Sequence, residues 1–449
     1  MNRTCTHLHT RQRGAASLVV AMIILFGMTM VAFYANRGLL FEQKTSANQY
    51  RATSAFEVAE AGLEWATARL NEPQKIDSAC AASAVATDRT FRDKFLQHST
   101  AASGFNPVTA PVSGIGGIRA GCRLPASGAL VCSCPDVGNP NLGTVNEPRF
   151  SVEFAPVPGD LESVEVRAIG CTQGTECLQD TTGTSDARAQ VRVTLKLLPA
   201  LRSGPQAALT AGGDVTLGGS GANIVNTDAS TNGITVDAGL SAPGASARVT
   251  TLPGLPPEAS VLINDTSLSS LNTADPTGNA LFRTYFGQSM ANYKADRGTT
   301  VICDPGVTTC AAGVTTCSGG TACAGAVVTA VGNAKNQLWV DAPLEFTDAN
   351  VPIAGLGAPN SPVLLASPYA MTFSGTRPVY GVLFGANQTW NVTGGGSAVV
   401  NGAVITRDDF NSSGNLTLTY DAGVLRKLRP ATGSMVRVSG SWRDFIPNL

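Results

Sequence analysis

Charge, aromatic side chains and histidine are all scarce in this 449-residue chain. Charged residues make up 14%, well under the roughly 25% usual in soluble domains. A formal net charge of −1 argues against broad nucleic-acid binding, which normally shows a strongly basic domain. Of three histidines, His7 and His9 lie near the N-terminus, so a histidine-based catalytic set or zinc site would rest on His98. Its setting, KFLQHSTAAS, contains no nucleophile elbow and reads as a surface histidine. The stretch GGDVTLGGSG lacks the Lys-Ser/Thr of a P-loop, and its glycines read as turns. Asp and Glu side chains could form a sugar-cleaving pair, but no spacing singles one out. These absences point away from an enzyme, and no cofactor or metal is expected.

Turn formers and cysteine are plentiful instead. Gly (48) and Pro (25) together make up about one residue in six, which suits an exported, turn-rich β protein. There are eleven cysteines. Removing the first fourteen residues would take Cys5 and leave Cys80, Cys122, Cys132, Cys134, Cys171, Cys177, Cys303, Cys310, Cys317 and Cys323, an even set suited to disulfides. Cys132 and Cys134 are too close to bond each other comfortably. Each should reach elsewhere, with Cys80, Cys122, Cys171 and Cys177 as candidates, although Cys171 and Cys177 could also close a local loop. The last four lack the close C-x2–4-C opening of structural zinc sites and are expected to form disulfides.

Residues 1–14 carry Arg3, Arg11 and Arg13 and no acid, and residues 15–35, AASLVVAMIILFGMTMVAFYA, carry no charge. As a helix that run spans about 31 Å, the thickness of a bilayer core. The arginines before it keep the N-terminus cytoplasmic and send the rest outward. A cleaved secretory signal fits poorly, because cleavage after Ala35 or Ala32 puts Phe33 or Met30 at the −3 position. A plain membrane anchor remains possible. Residues 36–71 contain no proline, and Phe56, Ala59, Leu63, Ala66 and Leu70 recur at helical steps beside a solvated row of Glu57, Glu60 and Glu64. Pro73 stops the pattern. One helix of about 85 Å, half in lipid and half outside, is predicted.

The segments RQRGAASLVVAMIILF and AFEVAEAGLEWA resemble the N-terminus of the PilX-type minor pilins of type IV pili. The resemblance covers roughly residues 10–72. It implies a leader peptide (1–14) removed by prepilin peptidase between Gly14 and Ala15, and N-methylation of Ala15. It also implies an inner-membrane subunit that passes into an extracellular pilus. Partners would be other minor pilins, the major pilin and a PilY-type tip adhesin. Major pilins carry Glu at the fifth mature position, where this chain has Val19. A buried terminal amine would lack that partner here, so few copies at or near the tip are implied.

The expected fold is α+β: a long helix (15–72) on an antiparallel β-sheet head (73–200), followed by a C-terminal mainly-β display domain (201–449). Segments 149–157, 163–171 and 187–198 alternate apolar and polar residues as half-buried strands do. Residues 201–449 read as short strands of small apolar residues between tight turns, either a β-helix or a sandwich, with no fixed repeat length. A helix is predicted at 279–296. Arg426, Lys427, Arg429, Arg437 and Arg443 form a basic run that is either a solvated face or an anion-docking patch. The functional expectation is a non-catalytic minor pilin that initiates or caps pilus assembly in adhesion and twitching motility. The alternatives are a tip pseudopilin of type II secretion, or a membrane-anchored glycan-binding or glycan-cleaving β-helix.

Overall fold

The computed structural model describes residues 15–85, 87–98, 105–107, 111–112, 115–173, 177, 187–219, 221–296, 298–392 and 396–444. Residues 1–14, the expected leader ending in Gly14, lie outside them, as does most of the stretch 174–186. The long helix runs over Ala15–Leu70 without interruption. Its outer half lies on a six-stranded antiparallel sheet ordered Ser434–Arg437, Arg188–Leu198, Asp160–Cys171, Arg149–Val157, Ala120–Arg123, Val131–Ser133. The three central strands are the alternating segments of the sequence. Their inward residues, among them Val152, Val164, Val166, Ala168, Val191, Val193 and Leu195, are essentially inaccessible and pack with Ala59, Leu63 and Ala66.

The edge strand Ser434–Arg437 comes from the far end of the chain. It pairs with Arg188–Leu198 in the register Leu198↔Ser434 to Leu195↔Arg437. Everything from 199 to 433 therefore enters and leaves the head through two neighbouring antiparallel strands. A division at residue 200 follows the sequence but not this sheet.

That intervening region is a parallel β-helix, the first of the two folds its texture suggested. Along one face the strands stack in the order Val261–Leu262, Val236–Ala238, Leu209–Ala211, Ala398–Thr406, Val379–Gly385, Val363–Ala366, Gln337–Asp341, Thr300–Cys303, Thr315–Thr316, all parallel. A second parallel face carries Val215–Leu217, Phe410–Ser412, Gln388–Trp390, Met371–Phe373 and Leu344–Phe346. The chain starts in the middle of the stack at Leu209, climbs three turns, crosses to the opposite end and winds back until residues 398–406 meet Leu209 from below.

Side-chain alternation explains why this stack holds. The inward column Leu338, Leu365, Leu383, Val404, Leu209, Val236 and Val261 belongs to one apolar core, with all but the last fully buried. Its neighbours Trp339, Ala366, Phe384 and Ile405 point outward, where Phe282, Phe286 and Tyr293 cover them. Those aromatics sit on the crossing segment. The single helix predicted at 279–296 is in fact two, Asn279–Phe286 and Met290–Ala295, because Gly287 turns left-handed and the Ser289 hydroxyl then caps the second by accepting from Asn292 N. On the second face Phe346, Phe373 and Trp390 stack at centroid separations of 4.8 and 3.9 Å. From Leu338 through Leu365 and Leu383 to Val404 the chain advances by unequal lengths, which is why no repeat period is visible in the sequence.

The stack ends are closed by local structure, as solenoid ends must be. Helix Gly320–Gly332 sends Cys323, Ala324, Val327 and Ala330 into the core at one end. At the other, Ala245 of a short helical turn does so.

Where the two longest strands of the β-helix pair, Gly381 and Gly402 stand in register, each with φ near +140°. A Cβ on Gly402 would lie 1.9 Å from the Gly381 carbonyl oxygen, and one on Gly381 would lie 1.8 Å from that of Val363. Replacing Gly402→Ala should therefore cost about 3 kcal/mol or more. Gly325→Ala, in open space within a helix, should be neutral or slightly stabilising. Chemical denaturation of the detergent-solubilised chain followed by circular dichroism distinguishes the two.

Candidate assembly helix and its seat

The long helix divides by environment. Thirteen large apolar side chains between residues 18 and 34 are each 52–78% exposed. No charged side chain interrupts them. Burying such a surface is worth on the order of 20 kcal/mol, so it calls for lipid or for other apolar helices around it. The segment is long and apolar enough to cross a membrane. Ala15 is its first helical residue, and Val19 stands at the fifth position counted from there.

From Ala55 onward the same helix is seated on the head. Ala55, Ala59, Leu63, Ala66 and Leu70 are buried at steps of three and four residues. The predicted stripe is thus the inner face, although Phe56 sits at its margin, edge-on to Trp442 at 6.1 Å. Within AEAGL, Ala59, Gly62 and Leu63 face the sheet while Glu60 and Ala61 face out. Small residues are needed on both sides of this contact. A Cβ on Gly170 would come within 2.3 Å of the Ala55 carbonyl oxygen and the Ala59 nitrogen. Trp65 then fills the next layer, packing edge-on to Phe91 at 5.3 Å and tilted to Phe150 at 5.5 Å.

Residues from the far end of the chain lock this seat. Asn71 donates to the Met435 carbonyl (3.0 Å) and accepts from the Met435 nitrogen (2.6 Å). Arg437 pairs with Glu64 at 2.6 Å, so the acidic row is exposed but not wholly free. Arg92 is the buried centre of the junction. Its guanidinium donates to the carbonyls of Leu70 (2.9 Å), Pro430 (3.3 Å) and Gly433 (2.9 Å). It thereby joins the end of the long helix to the end of helix Ala422–Ala431 and to the start of the return strand. Burial pushes its pKa down from the usual arginine value, and the charges of Asp93 and Asp296 oppose that.

The basic run near the C-terminus does not form one docking patch. Arg429 pairs with Glu162 (2.8 Å), Lys427 donates to Asn360 (2.5 Å), and the backbone of Arg443 pairs with that of Arg192. The Arg429–Glu162 and Arg443–Arg192 contacts each join segments more than two hundred residues apart. Nothing local in the sequence marks Arg92, Asn71 or Met435 as partners.

The ten cysteines form five disulfides: Cys80–Cys134, Cys122–Cys132, Cys171–Cys177, Cys303–Cys310 and Cys317–Cys323. Cys132 and Cys134 do reach elsewhere, one across the neighbouring strand and the other back to the loop after the helix. Among the described residues no group of three or more His, Cys, Asp or Glu side chains could hold a metal ion. One carboxylate pair does come together on the outer face of the β-helix. Asp237 is pushed up to about 6, first by burial and then by the charge and hydrogen bond of Asp265. Asp265 is committed to capping helix Thr266–Ala274 by accepting from Ser267 N, so the pair reads as a structural contact.

The family described as PilX N-terminal matches residues 13–64 of the chain. A comparison with curated protein sequences gives no match. Among solved structures, the competence-associated pilin ComZ from Thermus thermophilus is similar at 11% identity, covering 86% of this chain and 95% of that one with a TM-score of 0.23. The family match falls on the apolar half of the helix and on the seated half up to Glu64, the two features with the clearest physical roles. Over residues 13–64 the chain is thus similar to the N-terminal segment of the PilX family.

Proposed function

We propose that the protein is a minor pilin that prepilin peptidase cleaves after Gly14, leaving an N-methylated Ala15, and that it then moves from the inner membrane into a type IV pilus. The observation that carries this reading is the bare apolar half of the long helix, continuous with a half firmly seated on a folded head. Such a rod can exchange lipid for an equally apolar bundle of neighbouring helices at little hydrophobic cost. Val19 at the fifth mature position offers no carboxylate to a neighbour's terminal amine, which supports placement at or near the tip in few copies. The bulk of the inserted β-helix supports the same placement, since every copy must find room for it outside the helical core.

In this reading the role is structural. The helix (15–72) assembles, the head (73–200 with the return strand) orients, and the β-helix between them is displayed. Other minor pilins, the major pilin and a PilY-type adhesin would be its partners in initiating or capping the fibre, in support of adhesion and twitching motility.

Mass spectrometry of the chain recovered from sheared surface filaments tests the proposal. The expected result is a mature terminus at N-methylated Ala15 in the filament fraction. A chain retained in the inner membrane with Met1 intact would overturn it. A processed chain absent from surface filaments would favour the secretion pseudopilus instead.

A further inference from the structure

On the outer face of the β-helix, Asp237 stands in register between Thr210 and Leu262. Its Oδ1 is buried and has no hydrogen-bond partner. The chain that leads into helix Thr266–Ala274 fastens onto the end of the same strand. Asn264 N donates to the Leu240 carbonyl at 2.7 Å, and Asp265 N to the Ala238 carbonyl at 3.0 Å. These bonds bring the Asp265 carboxyl within hydrogen-bond reach of that of Asp237. The fit is close, since a Cβ on Gly239 would lie 3.1 Å from the Ser269 nitrogen. One turn further on, Leu268 is buried with Leu281, Phe282 and Phe286 in the apolar layer that covers the outward row.

Two carboxylates so placed repel each other, and among the described residues no Lys, Arg or His pairs with either one. Tyr285, on helix Asn279–Phe286, also faces them. Burial pushes it up to about 12, its hydrogen bond with Thr210 opposes the shift, and the two carboxylates add to it, so it stays neutral. A proton held by Asp237 removes the repulsion. The neutral carboxyl then donates to the Asp265 carboxylate, which keeps accepting from Ser267 N at 2.7 Å and so keeps capping its helix.

We propose that Asp237 and Asp265 form a proton-operated latch, which fastens the first helix of the crossing segment to the β-helix while they share a proton and loosens it when both are charged. Asp237 is raised in the folded chain, so its contribution is complete below the ordinary carboxylate value of 3.8 and is lost as pH rises from there through about 6. Asp265 is lowered, chiefly by its hydrogen bond with Ser267, so its contribution is present above the ordinary value and lost as pH falls through its lower folded one. The latch is therefore tightest near about pH 4 and loose at neutral pH. It stands apart from the pilus assignment, since it concerns the β-helix alone.

Amide hydrogen exchange of the detergent-solubilised full chain tests it, read by mass spectrometry at about pH 4.5 and about pH 7 and corrected for the intrinsic exchange rate. Protection over residues 264–275 should fall about tenfold between the two, less than the full shift of Asp237 allows because that side chain is only half-buried. Helix Gly320–Gly332, at one end of the stack, should hold its protection. Asp237→Asn, whose amide donates to Asp265 at either pH, should remove the fall. Asp237→Leu, which cannot titrate, should remove it too and serves if the first variant does not fold. Equal protection of 264–275 in the native chain at both pH values would overturn the proposal. So would a fall of the same size in a folded variant, or one shared equally by Gly320–Gly332.

Discussion

The pairing of Leu198 with Ser434 constrains the rest of the architecture. These residues end the outgoing strand and begin the return strand, and they are neighbours in the antiparallel head sheet. Anything inserted between them must start and finish in one place. An ordinary β-helix of this height does not, because its nine stacked strands put the two ends about 38 Å apart. This chain meets the requirement by entering the stack at its middle. Leu209 lies on the strand 398–406, and the Tyr420 hydroxyl donates to the Pro205 carbonyl at 3.1 Å, closing the stem of the insertion. Domain insertion is tolerated where the ends of the inserted unit lie close together, and here the winding order supplies that closeness.

A consequence follows for the mechanics of the molecule. A domain on one linker swivels, whereas one held by two paired strands transmits load to the sheet beneath it. The sheet in turn is seated on the long helix through Gly170 and Ala59, and the buried Arg92 joins helix end, return strand and β-helix stem. Displacing the β-helix therefore strains hydrogen bonds that end on the long helix itself.

Much of this was legible in the sequence, and the division between legible and hidden is physical. The helix was readable because its two halves carry local signals: an uncharged run that fits a bilayer, then an apolar stripe that Pro73 ends. The segments 149–157, 163–171 and 187–198 were readable as strands because alternation has a period of two, and the observed strands Arg149–Val157, Asp160–Cys171 and Arg188–Leu198 fall on them. Cys132 and Cys134 declared by proximity that they bond elsewhere. The return strand was hidden because Ser434–Arg437 is four residues long and acquires its meaning only from a partner more than two hundred residues away. The stacking order was hidden because parallel turns of unequal length leave no period, and because Leu209 meets Val404 only after the chain has gone round. Arg92 was hidden because its acceptors are backbone carbonyls, which no side-chain pattern reports.

The central claim is that the head is one sheet closed by the last strand of the chain, with the β-helix as its insertion. Cysteines placed at Lys196 and Val436, which stand opposite each other with exposed side chains, test it most directly. In the exported protein carrying Lys196→Cys and Val436→Cys, non-reducing peptide mapping should find the two positions joined by a disulfide. Two freely alkylated thiols at these positions, with the five native disulfides intact, would contradict the account.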